Sequence, residues 1–153
     1  MNAATKTVPV LPPGSPAEAG HGRRGMKTVT PQAAEEAGLA SRVLVDPRVW
    51  DDCVAWTEAD TARKGIDLDE SIRLADLLQW AVTALKRDSA QDSGAARPGA
   101  VPFTVERVPR AGTGRTAEKV TLTVTPARTA SRTVTLTIAH APAGCGAAVD
   151  GAR

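Results

Sequence analysis

The chain has no tyrosine, a single phenylalanine (Phe103) and three tryptophans, so aromatic residues make up 3% of its 153 positions. That scarcity argues against a nucleic-acid binder that stacks bases on exposed Phe and Tyr rings. No stretch approaches the roughly 18 apolar residues of a membrane-spanning helix, so no membrane association is expected. With two cysteines and two histidines, a four-ligand zinc site would have to recruit carboxylates, and neither a metal nor a cofactor is expected. The first 20 residues lack the apolar core of a secretory signal, because Val8 to Leu11 runs straight into Pro12-Pro13. Cys53 and Cys145 lie far apart in unlike surroundings, which predicts free thiols and a cytoplasmic protein.

What is present divides the chain into three parts. Residues 1–28 read as a disordered N-terminal segment, rich in Pro, Gly and Ala without periodicity. Met26 follows Gly22-Arg23-Arg24-Gly25, which a purine-rich, ribosome-binding-like stretch can encode, so Met26 is expected to be the natural start. Residues 29–140 form a single α+β domain with a flexible linker at 89–100, and 141–153 form a disordered Gly/Ala tail. Charge is divided too. Asp46 to Asp76 holds nine acids and four bases, whereas Arg97 to Arg153 holds eight bases and three acids, so the total of +2 hides two opposed regions.

Thr30-Pro31 and Asp46-Pro47 are helix starts, with an N-cap side chain followed by a proline where no N–H is needed. The first helix is short and closed by Gly38. The second carries Val49, Trp50, Cys53, Val54 and Trp56 or Thr57 on one face, keeps basic Arg63-Lys64 at its end, and stops at Gly65. A further long helix opens at Asp67 or Asp69, with Asp67 and Glu70 spaced as a capping box. Its expected buried stripe is Leu68, Ile72, Ala75, Leu78 or Gln79, Val82 and Leu85, widened by Leu74, Leu77 and Ala81, with Asp69 and Arg73 paired outside. The short connection predicts an antiparallel helical hairpin.

After Ala100 the period changes to two. Val101, Phe103 and Val105, then Val120, Leu122 and Val124, then Val134, Leu136 and Ile138 alternate mainly with polar residues, above all threonines. The expected fold is therefore α+β: a helical hairpin packed on a small antiparallel sheet of about three strands.

The stretches VWDDCVAW (49–56), DES (69–71), RL (73–74) and DLLQWA (76–81), followed by VERVPR (105–110), resemble an uncharacterised actinobacterial family of plasmids, integrative elements and phages. Its pattern reads approximately V-W-x-D-C-V-x-W and then D-E-x-x-R-L-x-D-x-L. Thr125 to Arg132 here stands where that family has a Gly-Pro-Gly-Asp-like turn. The resemblance implies a domain of unknown function in a small accessory protein, and it brings no catalytic residues.

Candidate sites follow from side-chain type. Trp50, Trp56 and Trp80 read most simply as core; Trp56 and Trp80, with Asp52 and Asp60 on the acidic helical face, are the candidate contacts for a protein partner or a second copy. Arg107, Arg110, Arg115, Lys119, Arg128 and Arg132 lie on and between the strands and are candidate phosphate contacts in an alternative, nucleic-acid-binding reading. A third reading takes the acidic face as a DNA mimic of the antirestriction kind, although its charge density is below that of duplex DNA. Cys53 reads as an inert small hydrophobe, because a reactive thiolate needs a nearby base. No Gly-rich phosphate loop, serine elbow, HExxH or CxxC occurs, so no catalytic residues are assigned and no enzymatic activity is expected. The leading expectation is a non-enzymatic accessory protein of a bacterial mobile element that acts by protein–protein binding.

Overall fold

A computed structural model describes residues 25–91 and 99–143. In chain order the elements are β1 (Lys27–Thr28), α1 (Pro31–Glu36), β2 (Arg42–Val45), α2 (Pro47–Val49), α3 (Glu58–Lys64), α4 (Glu70–Gln91), β3 (Val101–Arg107), β4 (Glu118–Arg128) and β5 (Val134–His140). A π-helical turn, Trp50–Val54, continues directly from α2. The five strands make one sheet in the order β1-β2-β5-β4-β3.

The three strands expected from alternation form as an antiparallel meander, with Phe103 opposite Leu122 and Val124 opposite Ile138. The sheet is larger and mixed, however. The Val43-Leu44-Val45 run, expected only as an extended lead-in, is strand β2; it pairs in parallel with β5, and β1 then pairs antiparallel to β2. Three consecutive apolar residues carry no period, which is why alternation did not mark this strand. Lys27 and Thr28, assigned by sequence to the disordered N-terminal segment, form the edge strand β1. Residues 89–91, assigned to the linker, continue α4. The expectations for residues 1–24, for 92–98 and for Cys145 fall outside the described residues.

Both Pro-led starts form as expected. Thr30 Oγ1 accepts from the Ala33 N–H, and Asp46 Oδ1 accepts from the Arg48 N–H at 2.8 Å. The continuous helical hairpin does not form. After the π turn the chain leaves helical geometry at Ala55 (φ −53°, ψ 130°), drops Trp56 inward and restarts at Thr57. A reciprocal capping box drives the restart. Thr57 Oγ1 accepts from the Asp60 N–H, while Asp60 Oδ2 accepts from the Thr57 N–H. The box expected at Asp67 and Glu70 is replaced by Asp69, whose carboxylate accepts from the Ile72 N–H at 2.9 Å at the head of α4.

Gly65 ends α3 in the left-handed conformation, with φ 61°. That positive φ is what favours glycine there; the Arg115 guanidinium, 2.8 Å from where a Cβ would stand, is the end of a flexible exposed side chain that can move aside. The buried face of α4 is Arg73, Leu77, Leu78, Ala81, Val82 and Ala84, of which Leu77, Leu78, Ala81 and Val82 were expected and Arg73 and Ala84 were not. Ile72 and Ala75, expected inside, are exposed. The core between α4, the π turn and the sheet contains Val45, Val49, Val54, Leu78, Leu122, Val124 and Ile138, all with no or almost no solvent exposure. At about 25 cal/mol per Å² of apolar area, such side chains each contribute roughly 1.5–3 kcal/mol on burial.

Candidate functional site

Two regions stand out chemically: a set of charges inside the molecule and a line of apolar and polar side chains outside it. The inner set begins at Arg73, one turn before Leu77 and on the same helix face. It is 6% exposed. Its guanidinium lies 4.8 Å from the Trp56 ring centroid. Its N–H groups donate to the carbonyls of Val54 (3.2 Å), Asp52 (2.9 Å) and Val108 (3.4 Å). The last carbonyls of the π turn are thus satisfied by a cation, and the cation's desolvation is offset by those oxygens and by the indole face. Trp56 donates its indole N–H to Thr61 Oγ1 at 2.9 Å and is itself buried.

Next to it, α3 anchors the segment between β3 and β4. Asp60 Oδ2 accepts from Thr57 Oγ1 at 2.8 Å and from Arg110 Nε at 3.0 Å, and its other oxygen pairs with Arg63. The Thr57 hydroxyl, followed by the Thr57 backbone N–H and Arg110, lowers the Asp60 carboxyl to a pKa of about 2, against an opposing contribution from burial. Lys64, with no solvent exposure, donates from Nζ to the carbonyls of Ala111 (3.2 Å) and Gly114 (2.8 Å). Arg63 donates to the Arg110 carbonyl at 2.7 Å.

The opposed charges along the sequence therefore meet in space. Arg107 lies between Asp52, at 2.8 Å from Nε, and Glu118, at 3.2 Å from Nη1. Its Nε–H has no aligned acceptor, so the contact with Asp52 is an ion pair rather than a hydrogen bond. Lys119 pairs with Glu106 at 3.7 Å, and Arg115 lies over Gly65. Of the six candidate phosphate contacts, Arg107, Arg110 and Lys119 already hold acids. Arg128 and Arg132 are exposed, at the end of β4 and in the turn that follows it. Asp52 and Asp60, expected on an exposed acidic face, face Arg107 and Arg110 instead. Trp56, read most simply as core and otherwise as a partner contact, is buried under Arg73. The expected outer Asp69–Arg73 pair is replaced by a buried Arg73 and a capping Asp69.

Cys53 is buried beside Asp52, and burial followed by that carboxylate pushes its thiol up to about 11. A thiol so raised is held protonated at neutral pH. His140 ends β5, exposed.

The outer region is built on α4. Trp80 is 47% exposed and Ile72 48%. Beside Trp80 a groove of about 440 Å³ runs between α4 and the edge strand β3, bordered by Thr83, Arg87, Gln91, Phe103 and Thr104. A smaller cleft of about 100 Å³ on its other side is bordered by Cys53, Asp76, Val105 and Arg107. Of the four candidate partner contacts, the structure leaves only Trp80 well exposed.

Sequence reasoning missed Arg73, Lys64 and Ile72. Arg73 could have been found from its place four residues before Leu77, and Lys64 from its place one turn after Asp60. Among the described residues, no cluster of three or more metal-ligating side chains occurs, and no helix is long and apolar enough to cross a membrane. No protein-family model matches the chain, and no curated protein or solved structure does so either.

Proposed function

We propose that this chain is a small non-enzymatic accessory protein that acts by binding a protein partner through the outer face of α4. The observation that carries the reading is Trp80, a large apolar side chain nearly half exposed beside a groove at a sheet edge. Exposed tryptophans next to a concave surface are typical anchors of protein interfaces. The resemblance to the actinobacterial family supplies the setting, an accessory role in a bacterial mobile element.

The pairing of Arg107 with Asp52 and Glu118, and of Arg110 with Asp60, weighs against the nucleic-acid reading, whereas Lys119 and Glu106 form only an exposed pair at 3.7 Å. The same pairs weigh against a DNA-mimic role for Asp52 and Asp60. The protonated Cys53 thiol supports a non-enzymatic reading.

The test compares the full chain with Trp80→Ala as immobilised bait, in host extract and on single- and double-stranded DNA at low salt. The reading expects a protein captured by the wild type and lost with the variant, and no salt-sensitive retention of DNA. Retention of DNA that survives Trp80→Ala and is lost on substituting Arg128 and Arg132 would transfer the function to the nucleic-acid alternative.

A further inference from the structure

We infer that the partner fitted by the α4 face is a second copy of this chain, docked antiparallel so that the two α4 helices lie side by side. This rests on the reading of Trp80 as an interface anchor and adds the identity of what covers it.

The outer-face residues of α4 are spaced for self-matching. Ile72, Asp76, Trp80, Thr83, Arg87 and Gln91 follow one another at intervals of 4, 4, 3, 4 and 4 residues, so they form a single stripe along α4. Four of them border the groove against β3. The intervals read the same in both directions about the point between Ala81 and Val82. A two-fold axis there sets Trp80 opposite Thr83 of the second copy, Asp76 opposite Arg87, and Ile72 opposite Gln91. An isologous interface demands this self-matching.

The first half of α4 exposes Glu70 and Asp76, and the second half exposes Lys86 and Arg87, with Asp88 the one acid beside them. Parallel copies would set like against like. Antiparallel copies set Asp76 against Arg87 twice, and they also oppose the helix dipoles favourably.

Each copy has one projecting indole and one groove of about 440 Å³ immediately beside it. The two-fold operation places the indole of each copy at the groove of the other. It also shields β3, a seven-residue strand at the sheet edge whose outer backbone groups have no neighbouring strand among the described residues.

Light scattering on a size-exclusion column, run over a concentration series of the full chain, reads the outcome. The wild type is expected to be a dimer. Trp80→Ala is expected to weaken association about tenfold or more, as loss of a central aromatic anchor does. Asp76→Arg and Arg87→Asp, each counted twice by symmetry, should each weaken it about tenfold, and the double reversal should restore it to within about twofold. Circular dichroism and thermal unfolding check that these exposed positions leave the fold intact.

A dimer indifferent to all three single substitutions, or a double reversal no better than either single one, overturns the proposal. A monomer at every concentration overturns it as well. If Trp80→Ala then abolishes capture of a different protein from host extract, the seam belongs to that protein and the protein-binding reading survives alone. If it changes nothing there either, both readings fall.

Discussion

The two regions reverse the usual placing of side chains. Beneath the β3–β4 connection, Lys64, Arg73 and Asp60 are charged and inside; on α4, Ile72 and Trp80 are apolar and outside. The difference lies in who satisfies them. Every buried charge meets partners within the chain: carbonyls of residues 52, 54, 108, 111 and 114, the Trp56 face, and the Thr57 hydroxyl. The inner region is thereby structural, and it tethers a long connection to the helices. The outer apolar groups are covered only about halfway within the chain, which leaves apolar area that a second molecule would gain by burying.

The largest effect should come from breaking the inner region at its centre. Arg73→Ala leaves three carbonyls without their donor and a gap against Trp56, and should cost about 3–5 kcal/mol in urea unfolding. Arg73→Lys should recover little of this, because one ammonium cannot span those acceptors while stacking on an indole. Lys64→Met should follow at about 2–3 kcal/mol, the cost of losing two charge-assisted hydrogen bonds to the carbonyls of Ala111 and Gly114. Its signature should be local: amide exchange of residues 108–117 should accelerate more than that of β4 or α4. Equal acceleration everywhere would mean that Lys64 supports the whole fold and is not a specific tether.

The sequence disclosed the outer frame of this arrangement better than its inner one. Thr30-Pro31, Asp46-Pro47 and Gly65 announced helix ends through backbone chemistry that acts locally, and alternation announced β3, β4 and β5. Local rules could not show that β2 joins β5, about ninety residues later, through parallel pairing that only the completed sheet rewards. They also could not show the π turn, because residues 49–64 are helical in pattern throughout; the break becomes visible only once Thr57 and Asp60 are recognised as a box with Asp in place of Glu. Arg73 shows the limit most clearly. A charged residue is assigned to solvent unless its partners are known, and its partners here are carbonyls of the π turn and of the stretch after β3. Assigning it outward drew Ile72 and Ala75 into the expected core, although Leu77, Leu78, Ala81 and Val82 are buried as expected.

A smaller effect, separated by pH, should come from Asp60. Its folded pKa of about 2 lies below the ordinary carboxylate value of 3.8, so the unfolded chain takes up the proton first as pH falls. The stability contributed by the ionised carboxylate is complete above about pH 4 and is lost as pH falls through about 2. Thermal unfolding from pH 6 to pH 2 should show a decline in the wild type at the acid end. In Asp60→Asn that decline should be shallower, starting from a lower melting temperature. Identical pH slopes in the two proteins would show that Asp60 is not the group responsible.

The smallest effect on the folded chain should come from the outer region. Trp80 is exposed where Leu77, Leu78 and Ala81 on the same helix are buried, so Trp80→Ala removes little internal packing. It should change unfolding stability of the isolated chain by less than about 1 kcal/mol. At concentrations where the chain self-associates the same substitution should lower the melting temperature more, because association stabilises the folded state by mass action. The comparison is therefore run twice, dilute and concentrated. A deficit that grows with concentration places Trp80 in an interface. A large deficit already present in dilute solution would instead make it a core residue, and the contrast between the two regions would disappear.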